Sequence, residues 1–184
     1  MATPVNPLFS TAESSFLAKL LSLVTEQLTH KSSTEFALAP SAANKALAAA
    51  CIEQAGRAGE WGDDAPDWLA YIAYMLESDD DVVTFMDWMS AYLATRCQAL
   101  AAGSGAPLNV AELAVTAELL EVARDEHDEA AALDLVPHAI DVDDANRAIL
   151  VQIWNPDFRP PGQENRVPMT MILAHFAQRC LDAS

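Results

Sequence analysis

Ser10-Thr11-Ala12-Glu13 is a capping-box sequence, and behind it Phe16, Leu17, Leu20, Leu21, Val24 and Leu28 recur every three or four positions. The hydroxyl and carboxylate of such a box satisfy N–H groups that a helix start leaves open, and the spacing gathers the apolar residues on one side. The same grammar repeats along the chain and predicts an all-α fold, a bundle of about seven helices. A second helix follows Pro40-Ser41, turns Leu47, Ala50, Cys51 and Ile52 inward, and ends at Gly56 and Gly59. A third is expected from Asp64-Ala65-Pro66, presenting Trp68, Tyr71, Ile72, Met75 and Leu76. Proline suits its first turn, where the missing N–H has no helical acceptor to lose.

The fourth helix is expected over about 79–101, opening at Asp79-Asp80-Asp81. It carries two apolar stripes, Val82, Met86, Met89 and Leu93 on one and Phe85, Trp88 and Tyr92 on the other. A helix apolar around most of its circumference belongs inside, so this is the expected central helix of the bundle. Asn109 and Glu112 cap a fifth, which runs to Leu133 with a break near Asp125. A sixth starts at Asp141 and carries Ile149, Leu150, Ile153 and Trp154; residues 148–154 read as helix on the Asp141 and Asp144 spacing, although so short an apolar run also fits a buried strand. A seventh spans Met169 to Leu181. Residues 1–184 form one domain in this reading, with a weak internal boundary at 102–107, Ala-Gly-Ser-Gly-Ala-Pro. A longer connection, Asn155 to Pro168, sets Phe158, Arg159 and Arg166 among four prolines.

Charge is distributed far less evenly than apolarity. Trp61 to Asp144 hold nineteen acids against Arg96 and Arg124, so this stretch alone equals the whole-chain net charge of −17. Both ends are close to neutral, unlike a surface acidified throughout. Such a chain is repelled by nucleic acid and by anionic membranes. The 52% apolar content excludes a disordered chain, yet no apolar run reaches the length of a membrane span. The first residues show no secretory pattern, and three widely spaced cysteines do not make a disulfide framework. A cytoplasmic protein is the expectation.

Three acid clusters, Asp63-Asp64-Asp67, Asp79-Asp80-Asp81 and Asp141-Asp143-Asp144, fall at expected helix starts, where free N–H groups favour carboxylates. The fourth has no such role. Glu118, Glu121, Asp125, Asp128 and Glu129 recur at three- and four-residue steps, forming one ridge on the fifth helix. Like charges so spaced cost about 0.2–0.5 kcal/mol per pair, and the C-terminal half of a helix adds to the penalty. Only Arg124 is close enough in sequence to relieve it. A solvated face would explain the ridge; so would a surface awaiting a basic partner or a cation.

Glu118-Leu-Leu-Glu121 followed by Asp141-Val-Asp-Asp144 is similar to the ExxE…ExxD pattern of all-α nucleoside-triphosphate pyrophosphohydrolases, over Glu118 to Asp144. That resemblance implies carboxylates of two neighbouring helices holding Mg²⁺ against a phosphate chain; Asp141 departs from the pattern, which has Glu there. Asp141 to Asn146 also has a passing likeness to a calcium loop, but it lacks the central glycine and Gln152 replaces the bidentate Glu. No histidine has di-iron spacing, and His127 is expected partly buried and hydrogen-bonded. Cys51 and Cys97 fall on apolar faces.

The sequence therefore favours a non-enzymatic binding protein of inhibitor, immunity or nucleic-acid-mimic type, without cofactor or metal. Its partner would be basic, with a nucleic-acid-binding protein as the sharp case, and no direct contact with nucleic acid or membrane. The docking surface would be Glu118, Glu121, Asp125, Asp128 and Glu129, with Phe158, Arg159 and Arg166 as a second contact. The Mg²⁺-dependent hydrolase and a self-assembling helical subunit are the alternatives.

Overall fold

The Ser10–Glu13 box forms in the computed structural model, which describes residues 8–30, 35–59, 70, 74, 77, 82–155, 157 and 160–184. The Glu13 N–H donates to Ser10 Oγ at 3.3 Å, and Glu13 Oε2 accepts the Ser10 N–H at 2.8 Å. From this start α1 (Thr11–Thr29) runs with Leu17, Leu21, Val24 and Leu28 buried. Its main partner is α3 (Met86–Ala101), the most extensive helix packing in the molecule. Between them in sequence lies α2 (Ala42–Ala58), opened by the Ser41 hydroxyl accepting the Asn44 N–H. Gly59 ends α2 at φ 75°, a left-handed conformation that glycine adopts without a Cβ penalty. Gly56 lies inside the helix. Of the expected third helix, Ala70, Tyr74 and Glu77 are helical and exposed; Trp68, Tyr71, Ile72, Met75, Leu76 and the clusters at Asp63 and Asp79 lie outside the described residues.

The fourth helix does not begin near residue 79. β1 (Glu35–Leu38) and β2 (Val82–Phe85) pair antiparallel, Glu35 opposite Phe85 and Leu38 opposite Val82, and α3 starts at Met86. Val82-Val83-Thr84-Phe85 is an unbroken run of β-branched and aromatic residues, which lose χ1 freedom in a helix and suit a pleated ladder. From Met86 onward the first expected stripe is buried, whereas Trp88 and Tyr92 of the second are half-buried. Met86, Met89, Leu93 and Cys97 are in the core, and only Thr95 and Gln98 of α3 are exposed.

Asn109 and Glu112 cap α4 (Val110–Asp125) reciprocally, each side chain accepting the other's N–H at 2.9 Å. α4 packs against α1, α2, α3 and, most extensively, α7 (Met169–Leu181). α7 contributes Ile172, Phe176 and Ala177, all fully buried, and the Phe176 ring lies 6.0 Å from Phe9 and 5.7 Å from Phe16. Beyond α4 come the short α5 (His127–Ala132), β3 (Ala139–Asp141), α6 (Arg147–Ile153) and β4 (Arg166–Pro168).

Asp141 does not open a helix; it closes β3, which pairs antiparallel with β4. The Asp143 Oδ1 accepts the N–H groups of Ala145 and Asn146, both at 2.9 Å, and this side-chain turn holds the chain out of the helix until Arg147. The helical reading of the following apolar run stands, with Ile149 and Leu150 buried and Trp154 extended at the C-cap. One core cluster draws residues from both sides of the 102–107 turn. No helix among the described residues is long and apolar enough to cross a membrane.

Candidate interaction surface

The register of α4 follows from its apolar spacing. Leu113, Thr116, Ala117, Leu120 and Ala123 are buried, which leaves Glu118, Glu121 and Asp125 on the outer side. Glu118 and Asp125 are exposed and Glu121 is half-buried. Arg124 relieves two of the three, its Nη2 standing 2.6 Å from Glu121 Oε2 and 3.3 Å from Asp125 Oδ1. Ion pairs this open contribute at most about 1 kcal/mol, enough to offset local repulsion. Glu118 has no such partner among the described residues, and partial desolvation raises its carboxyl above the usual range.

A hydrogen bond from another helix sits at the break near Asp125. The buried Gln27 side chain, reaching over from α1, donates from Nε2 to the Ala123 carbonyl at 3.1 Å. That carbonyl is one of the acceptors a helix end leaves open, and Glu126 then serves as cap to both α4 and α5. Asp128 and Glu129 consequently lie in the first turn of α5. At the tail of one long helix they would be disfavoured; the new start puts them at the N-terminal end of α5 instead.

The second expected contact is less complete. Phe158 and Arg159 lie outside the described residues. Arg166 opens β4 directly across from Asp141, with Nε 3.1 Å from Oδ1, so its charge is engaged within the strand pair.

The carboxylates that would form a Mg²⁺ site are not assembled. Among the described residues no three His, Cys, Asp or Glu side chains gather as metal ligands, so Glu118 and Glu121 do not form one with Asp141 and Asp144. His127 is buried, as expected, but its Nδ1 has no hydrogen-bond partner, which corrects the expectation of a hydrogen-bonded ring. It meets His138 edge to face with centroids 5.9 Å apart. Burial lowers its pKa, Asp128 opposes that, and His138 adds to it.

Two features had no readable signal. One is the network around Glu112, which is 2% exposed. Its Oε1 accepts from Arg96 Nε at 2.8 Å and Tyr92 Oη at 3.2 Å, and its Oε2 from Arg96 Nη2 at 3.3 Å and the Asn109 N–H at 2.9 Å. The cap role of Glu112 was legible; its pairing with an arginine of another helix was not. The other is a groove of about 370 Å³ between α1 and the turn joining β3 to α6. Set against protein families, curated proteins and solved structures, the chain matches none.

Proposed function

We propose that the protein is a non-enzymatic, cytoplasmic binding protein of inhibitor, immunity or nucleic-acid-mimic type. Its acidic face, carried by α4 and α5, docks on a basic protein, most sharply one that itself binds nucleic acid. The observation that carries this reading is the outer side of α4 continuing into α5. Glu118, Asp125, Asp128 and Glu129 are exposed there, and Arg124 is the only cation within the segment from Val110 to Ala132. Fields of one sign speed association with an oppositely charged surface and weaken as salt rises.

The test is a pull-down from source-cell lysate at low and at high salt, run in parallel with the wild type and Glu121→Lys/Asp125→Lys/Asp128→Lys. A basic protein held by the wild type at low salt, released at high salt and not held by the variant would support the proposal. Equal capture by a variant of unchanged helicity would remove the ridge from the interface.

A further inference from the structure

The groove beside α1 is built from one helix face and one turn. Phe16, Leu20 and Leu23, at helical spacing, form one wall, and Ile140 and Ile149 form the other. Its volume of about 370 Å³ falls in the range of small-molecule sites, which combine a mainly apolar lining with a few polar groups. Ser15 and Lys19 also line it, one helical turn apart on the same face of α1.

The polar groups of this groove divide into two kinds. Asn146 is engaged at both ends, its Oδ1 accepting the Asp143 N–H and its Nδ2 donating to the Asp141 carbonyl, each at 2.9 Å. Asp143 Oδ1 is committed to two backbone N–H groups of its own turn, while its Oδ2 has no partner among the described residues. The Lys19 ammonium and the Ser15 hydroxyl, by contrast, have no hydrogen-bond or ion-pair partner among the described residues. Both can donate, and an ammonium one turn from a hydroxyl suits a carboxylate, which accepts through two oxygens.

We infer that this groove binds a small apolar monocarboxylate, with its hydrocarbon part between Phe16, Leu20 and Ile149 and its carboxylate at Lys19 and Ser15. The site is separate from the acidic ridge and does not depend on it. Asp143 also lines the groove, so a ligand carrying a second carboxylate is disfavoured by like-charge repulsion.

Hexanoate is the probe, titrated into the full-length protein and followed by amide chemical shifts, with hexanamide and acetate as controls. The expected result is saturable shifts centred on residues 12–23 and 140–149, with hexanamide and acetate each at least about tenfold weaker, the loss expected for one charge-assisted hydrogen bond or the apolar body. Lys19→Gln, at an exposed position, should weaken hexanoate by a similar factor and leave hexanamide unchanged. Absence of saturation by hexanoate would overturn the inference. So would equal binding of hexanoate and hexanamide, or an affinity for hexanoate unaltered in Lys19→Gln.

Discussion

Replacing Arg96 by Met should destabilise the protein far more than loss of a surface ion pair. Glu112 is 2% exposed, and Arg96 supplies two of its four hydrogen bonds, at 2.8 and 3.3 Å. The methionine keeps the aliphatic bulk but leaves a buried carboxylate facing only the Tyr92 hydroxyl and the Asn109 N–H. Breaking a buried pair on one side costs about 3–5 kcal/mol. Arg96 also holds the Ala106 carbonyl at 3.0 Å and that of Pro107 at 3.4 Å, so the 102–107 turn loosens with it. In a chain of 184 residues the loss corresponds to a Tm lower by about 10 °C. Urea denaturation of wild type, Arg96→Met, Glu112→Gln and the double variant closes the cycle. Because the uncompensated charge is the main cost, the double variant should recover about 1–3 kcal/mol relative to Arg96→Met alone. An Arg96→Met variant within about 1 kcal/mol of wild type would refute the reasoning, as would a double variant no more stable than it. Burial pushes the Glu112 carboxyl up, but Arg96, the Asn109 N–H and Tyr92 together hold it below its ordinary value. Its contribution is therefore present above the unfolded carboxyl pKa, about 4.3, and lost as pH falls through the lower folded value.

His127 titrates in the opposite sense to a paired histidine. Burial lowers its pKa in the fold, so stability is full above the unfolded value of about 6.5 and falls as pH drops below it; His127→Leu should show a smaller loss between about pH 7.5 and 5.5 by thermal denaturation. Arg179 ties the chain's start to α7 by pairing with Glu13, donating to the Leu8 carbonyl at 2.6 Å and lying 4.7 Å from the Phe9 ring. Arg179→Met should cost about 1–2 kcal/mol in urea and speed amide exchange near residues 9–13. Cys97 and Cys180 are buried and their thiols are pushed up to about 12 by desolvation, so Ellman's reagent at about pH 8 should react with neither until urea unfolds the chain.

What could be read from the sequence was what is local. The starts of α1 and α4 were legible because Ser10 with Glu13, and Asn109 with Glu112, complete their caps within one turn. α7 was legible to its ends because its apolar spacing runs uninterrupted from Met169 to Leu181. β2 was not, since a four-residue strand becomes one only when β1, distant in sequence, supplies the ladder. Asp141, Asp143 and Asp144 were misread for a related reason: carboxylates serve a cap and a side-chain turn equally well, and the Asp143 bonds select the turn. The ridge was legible as a spacing, but the bond that Gln27 of another helix makes at the end of α4 has no local signal.

The acids of the chain divide into those with a duty in the fold and those without one. Glu112 and Glu13 are held by arginines and capping N–H groups, and Glu121 and Asp125 share Arg124. Glu118 has no partner among the described residues, and its carboxyl is raised, so the fold disfavours its ionised form. A raised carboxyl destabilises once pH exceeds the unfolded value, which means that neutralising it should help at neutral pH and do nothing in acid. Glu118→Gln also removes the repulsion with Glu121, about 0.2–0.5 kcal/mol, and should raise Tm by about 1 °C at pH 7 with no gain at pH 3. Asp128→Asn should be nearly neutral, because relief from Asp125 is offset by the loss of a favourable charge in the first turn of α5. On the proposed docking role, a carboxylate retained at a cost in stability would serve binding, so Glu118→Gln should bind a basic partner more weakly while folding more stably. A Glu118→Gln variant that folds less stably at neutral pH would show that this acid supports the fold, and would take Glu118 out of the argument for the ridge as a binding surface.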